Sequence, residues 1–106
     1  MNADPSEFVY VLRPTRPAML TQGPTERERA VVAEHFNYLK SLCEQGTVVL
    51  AGRTITNDER TFGLCVFRAA SEPAARALVM ADPAVRENIM TADLHPFRVA
   101  MLTTGH

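Results

Sequence analysis

The chain has 106 residues, 46% of them hydrophobic and 22% charged, which is the balance of an ordinary globular protein and leaves room for one core, so 1–106 is read as a single domain. A net charge of −1 supplies no basic field to neutralise phosphates, so a nucleic-acid partner is not expected. No apolar run approaches the length of a membrane span, and MNADPSEF lacks a basic segment followed by an apolar one, so neither a membrane partner nor a secretory signal is expected.

In chain order, Phe8 to Arg13 (FVYVLR) is rich in β-branched and aromatic residues and predicts a first strand. Pro14 to Pro24 holds three prolines, a glycine and two threonines; it reads as a loop longer than most connections, and such loops are often functional. Thr25 to Gly46 predicts the longest helix. Thr25 and Glu28 have the spacing of a capping box, and Gly46 is placed to end the helix in a left-handed cap. Val31, Val32, His35, Phe36, Leu39, Leu42 and Cys43 recur at helical spacing and form one broad face, with Glu34, Asn37, Lys40 and Glu44 largely off it.

Thr47 to Arg53 predicts a second strand and Thr61 to Arg68 a third, joined by polar turn residues around Asn57 to Arg60 as a loose hairpin. Ser71 is a candidate N-cap for a second helix that tolerates Pro73 in its first turn and carries Ala74, Ala77, Leu78 and Ala81. Asp82-Pro83 interrupts that helix, because a residue before proline disfavours helical dihedrals, and a short helix from Pro83 to about Ile89 follows. The last strand is expected over Leu94 to Leu102, with Pro96 at its edge or start. The order β-α-β-β-α-β predicts an α+β, ferredoxin-like fold: a four-stranded antiparallel sheet with both helices on one face.

Strand alternation adds an expectation about assembly. Phe8, Tyr10 and Leu12 oppose Val9 and Val11; Phe62, Leu64 and Val66 oppose Cys65 and Phe67; Phe97, Val99 and Met101 oppose Ala100 and Leu102. Both faces of the sheet read as apolar, although helices cover only one. A homodimer packed sheet to sheet would cover the other. Cys43 and Cys65 form neither CxxC nor metal spacing and read as small buried thiols of a reducing cytoplasm.

Two residues stand out as carriers of chemistry. His35 lies within the apolar stripe of the long helix. Periodicity alone favours a core histidine bonded to a backbone carbonyl, but an imidazole there can also exchange protons near neutral pH. Asp82 before Pro83 can be a helix cap, or it can meet His35 and orient its ring; one oxygen could serve each purpose. Arg13 and Arg53 close strands and could hold a carboxylate or enolate oxygen; Arg16 and His95 are weaker candidates of the same kind, solvated arginine or strand-edge histidine being the alternative. Tyr10 and Tyr38 are read as packing residues and the terminal His106 as disordered. No phosphate loop, dinucleotide fingerprint, nucleophile elbow or metal-spaced cluster is present, so no cofactor and no metal are expected.

These features together resemble the YCII (YciI-like) family. The matching stretches are FVYVLR, AEHFNYLKSLCEQGTVVLAGR, FGLCVFRAASEPAARALVMADPAV and HPFRVAML, in the same order and over nearly the whole chain. The resemblance implies a dimeric α+β barrel and an active site that pairs a helix histidine with the aspartate of a DP motif, here His35 and Asp82. Many members have AGP after the second strand where this chain has AGR, so nothing carries over to Arg53 from that proline. With the resemblance, His35 changes from core residue to expected catalytic residue. The leading expectation is a cytoplasmic, cofactor-independent enzyme that uses the His–Asp pair for proton abstraction, isomerisation or elimination on a small organic, cyclic or aromatic substrate. The alternatives are a dimeric module that binds a small ligand without turning it over, and a purely structural dimer.

Overall fold

The first strand is the one on which the rest of the sheet registers. The computed structural model describes residues 6–103, so the terminal His106 lies outside the described residues. The elements are β1 (Glu7–Pro14), α1 (Ala18–Thr21), α2 (Glu26–Glu44), β2 (Val48–Arg53), β3 (Gly63–Arg68), α3 (Glu72–Ala81), α4 (Pro83–Arg86) and β4 (Met90–Phe97). The strands form one antiparallel sheet in the order β2-β3-β1-β4, the ferredoxin-like arrangement.

Period-two alternation decides which side of β1 is buried. Phe8, Tyr10 and Leu12 point to the helices and are buried, and they stand opposite Phe67, Cys65 and Gly63 of β3. Phe67 packs against the Phe8 ring at 5.8 Å and takes the Tyr10 ring edge-on at 5.7 Å. Val48, Ala75 and Val79 complete this core, and a second cluster of Met19, Val31 and Ile89 closes the α1 end. Each fully buried aromatic or aliphatic side chain contributes about 1.5–3 kcal/mol.

The long helix begins and ends as its sequence predicts. The Thr25 hydroxyl accepts from the Glu28 amide at 3.1 Å while Glu28 Oε1 accepts from the Thr25 amide at 2.8 Å. At the other end Gly46 has φ 82°, and the Gly46 and Thr47 amides donate to the Cys43 and Leu42 carbonyls, which is a Schellman motif. The α2 stripe is only partly buried, however. Val31 is buried, Val32, His35, Leu39 and Leu42 are half-buried, and Phe36 is 66% exposed.

Four expectations need correction. The Pro14–Pro24 loop contains a short helix, α1, whose Met19 is buried. In α3 the core is met by Ala75 and Val79, with Leu78 half-buried, and not by Ala74, Ala77 or Ala81, all of which are exposed. The α4 helix stops at Arg86, because Asn88 takes the left-handed conformation (φ 58°) and reverses the chain. The last strand starts at Met90 and ends at Phe97, instead of spanning Leu94 to Leu102. The apolar run LHPFRVAML misled the reading, since pairing with β1 extends over TADL, whose alternation is the truer strand signal. Pro96 is tolerated because β4 is an edge strand.

The shift also changes the outer face of the sheet. Val9, Val11, Leu64 and Val66 make it apolar on β1 and β3, with Leu50 of β2 exposed beside them. On β4 the same side presents Thr91, Asp93 and His95 ahead of an exposed Phe97, so this face is not apolar throughout.

Candidate functional site

Residues 47 positions apart in sequence meet where α2 crosses the start of α4. His35 Nδ1 lies 2.8 Å from both Asp82 Oδ1 and Asp82 Oδ2. Asp82 ends α3 and caps α4, its Oδ1 accepting from the Ala84 amide at 2.9 Å. Its Oδ2 accepts from the Tyr10 hydroxyl at 2.7 Å. The carboxylate is wholly buried, and each oxygen is engaged by a fixed donor besides the imidazole. An ionised carboxylate only accepts, so Nδ1 carries the proton that faces it. The cap and the histidine contact therefore coexist on one side chain.

The ring's other nitrogen is free of the protein. His35 Nε2 makes no hydrogen bond to any described residue, and among those residues no buried side-chain nitrogen or oxygen lacks a partner, so Nε2 is reachable from outside. The side chain is 13% exposed and lines a cleft of about 630 Å³. In the neutral ring Nδ1 donates to Asp82 and Nε2 is left as an acceptor, which is the geometry of a base.

The surroundings keep the two neighbouring phenols protonated. Burial, then the charge of Asp82, pushes the Tyr10 phenol far above its ordinary range, so it remains a donor. Tyr38 donates to the Leu78 carbonyl at 2.6 Å, and burial followed by the Asp82 charge pushes its phenol up to about 12. Tyr10 is thus more than a packing residue: it ties the aspartate to the sheet. A signal was available in the sequence, since a tyrosine on the buried side of a strand needs a partner for its hydroxyl.

The cleft lies between α2 and the β2–β3 end of the sheet. Its walls are mostly apolar, with Leu12, Met19, Val32, Phe36, Leu39 and Met90 among them. Gly52 and Gly63 bring bare backbone to it, and a Cβ on Gly63 would come within 3.4 Å of the Gly52 carbonyl oxygen. Arg53 is registered with Gly63, on the helix side of the sheet, and lines the cleft. The structure does not bring Arg13 or His95 there. Both point to the opposite side of the sheet, Arg13 with its guanidinium 5.6 Å from the centre of the Phe62 ring and His95 exposed opposite Val9. Arg16 binds both carboxylate oxygens of Glu28, at 2.9 and 2.7 Å, and also donates to the Gly23 carbonyl, so it clamps the α1 loop to α2. Both thiols are free; Cys65 is buried and Cys43, contrary to expectation, is exposed at the cleft. No group of three or more His, Cys, Asp or Glu among the described residues could hold a metal ion. No helix among them is long and apolar enough to cross a membrane.

The fold is shared with a solved structure, the 5-chloro-2-hydroxyhydroquinone dehydrochlorinase (TftG) from Burkholderia phenoliruptrix AC1100, in complex with 2,5-dihydroxybenzoquinone. The two superpose with a TM-score of 0.61 at 18% identity, over 86% of this chain and 93% of that one, a level of likeness that speaks for the fold. No curated protein sequence matches the chain. The family model of the YCII-related domain matches residues 8–97, from the first strand through the last and including both His35 and Asp82, and the chain therefore belongs to the YCII-related family.

Proposed function

We propose that this protein is a small cofactor-independent enzyme that moves a proton with His35. One observation carries the reading: Nδ1 is anchored on a buried carboxylate while Nε2, without a protein partner, opens onto an apolar cleft. Nε2 takes a proton from a carbon next to a carbonyl or on an activated ring. The electron pair left behind goes to the carbonyl oxygen as an enolate, and Arg53, which lines the same cleft, is the candidate to hold that oxygen. Asp82 stabilises the imidazolium and holds its orientation. Returning the proton at another carbon completes an isomerisation. If the enolate instead expels a leaving group with its bonding electrons, the result is an elimination, the reaction class named for the structural neighbour. The cleft volume suits a small cyclic or aromatic substrate.

The test is a screen of small lactones, enols and halogenated phenols for turnover, followed by His35→Gln. A loss of about 10²–10⁴-fold with an unchanged melting curve is expected. Full activity in the variant would end the proposal, and ligands that bind the wild-type protein with no turnover would favour the binding-module reading.

We further propose that the apolar outer strip of Val9, Val11, Leu50 and Leu64 is covered by a second copy in a sheet-to-sheet homodimer. Light scattering at micromolar concentration should give about twice the chain mass; a monomer would refute it. A cytoplasmic location is part of the same reading, since two free thiols suit a reducing compartment.

A further inference from the structure

The cleft carries a charge imbalance that proton transfer by His35 does not require. Its lining includes two cations, Lys40 and Arg53, and no acidic residue. Among the described residues four of the chain's eleven basic side chains, Arg16, Arg27, Arg60 and Arg86, meet a carboxylate. Among the described residues neither Lys40 nor Arg53 forms an ion pair or a side-chain hydrogen bond, although Glu44 lies one turn along α2 from Lys40. Both line the cleft, Lys40 from α2 and Arg53 from β2. Two unneutralised cations beside an apolar lining favour an anionic ligand over a neutral or cationic one.

His35 and Lys40 stand on α2 and line the same cleft as Arg53. We propose that the cleft selects organic carboxylates, with an apolar cyclic or aromatic body against the Leu12, Phe36 and Leu39 walls and the carboxylate held between Lys40 and Arg53. The inference rests on the proposed function for its site, and it names the substrate class; Lys40 acts there as a specificity-determining residue, and a cationic ligand would find no partner.

The probes are 1-naphthoate and its neutral near-isostere 1-naphthamide, with dissociation constants measured by calorimetry on the wild-type protein, His35→Gln and the double variant Lys40→Gln/Arg53→Gln. Two partly exposed ion pairs should make naphthoate about tenfold tighter than naphthamide at low salt. That preference should shrink as salt is raised, vanish in the double variant and persist in His35→Gln. Lys40 and Arg53 are exposed, so the double variant should keep its melting curve. Equal affinities in the wild type, a preference that survives the double substitution, or no binding of either probe at millimolar concentration would each overturn the proposal. The outcomes separate it from the catalytic reading. Anion preference without any turnover leaves this inference standing and removes the other, whereas turnover of neutral substrates alone does the reverse.

Discussion

Replacing Asp82 by Asn or Ala separates the aspartate's structural work from its effect on His35. Alanine removes the acceptor for three groups at once. Loss of the α4 cap costs about 0.5–2 kcal/mol. The Tyr10 hydroxyl, left buried without an acceptor, adds about 1–3 kcal/mol. A total near 3 kcal/mol lowers the melting temperature of a chain this size by roughly 12 °C or more. Asparagine is as good a cap as aspartate, so it retains much of that stability. Its single carbonyl oxygen cannot serve Ala84, Tyr10 and His35 together, however. With the oxygen on the Ala84 amide, the asparagine NH₂ faces the imidazole and must donate to Nδ1, which forces the ring proton onto Nε2. The cleft then meets a donor where it had an acceptor. Asp82→Asn is expected to lower turnover about 10²–10⁴-fold with a smaller loss of stability than Asp82→Ala. Long-range ¹H–¹⁵N spectra of the imidazole read the tautomer directly, and thermal melts followed by circular dichroism read the stability. A ring proton that stays on Nδ1 in Asp82→Asn, or unchanged turnover, would refute the reasoning.

Tyr10→Phe keeps the ring packing against Phe67 but removes one donor from a buried carboxylate, so the urea midpoint should fall by the equivalent of about 1.5–3 kcal/mol; no change would mean that the 2.7 Å contact carries no energy. Glu28 is held down to about 2 by its hydrogen bonds from Arg16 and from the Thr25 amide, against an ordinary value of 4.5. Its folded-state value is the lower one, so the stabilisation is fully present above about 4.5 and is lost as pH falls towards 2; the difference in melting temperature between wild type and Glu28→Gln should be largest at neutral pH and close over that window. Burial pushes the Cys65 thiol up to about 12, so a thiol reagent should label Cys43 quickly and Cys65 only on unfolding, and adducts on Cys43 should compete with ligands because that residue lines the cleft.

The legible parts of the sequence were those with local causes. The Thr25–Glu28 box and the Gly46 cap are written within a few residues of where they act, so both ends of α2 could be read directly. The alternation in β1 separated Phe8, Tyr10 and Leu12 from Val9 and Val11, but with both sets apolar only the structure shows which set meets the helices. The last strand was misplaced because its register comes from pairing with β1, and its apolar composition points further downstream than its pairing does. The α3 face is hard to read because its four alanines, Ala74, Ala75, Ala77 and Ala81, offer little periodic contrast, and only packing selects Ala75 and Val79. In the candidate site His35 and Asp82 could be named, the second by its place before a proline. Tyr10 could not be linked to them, because a hydrogen bond across 72 residues has no local signature. Arg13 and Arg53 looked equivalent as strand-end arginines. The side of the sheet each faces depends on the pairing of both strands, and it puts only Arg53 at the cleft.

The incomplete burial of α2 is the strongest structural argument that the cleft exists for a ligand. A helix selected only for stability would seat its whole apolar stripe on the sheet. Here Leu39 and Leu42 join the core, while Phe36 and Cys43 on the same helix stay exposed. The facing wall is built in keeping with that opening, since Gly63 supplies no side chain on the helix side of the sheet. Burying a phenylalanine stabilises a fold by about 1.5–3 kcal/mol, so leaving Phe36 open forgoes a sizeable part of a marginal total. The same helix turn presents His35, which lines the cleft with Phe36, its Nδ1 satisfied by Asp82 and its Nε2 without a partner among the described residues. An apolar cleft kept open at a stability cost, beside an imidazole whose Nδ1 is fixed by Asp82, is the arrangement on which the proposed proton transfer rests.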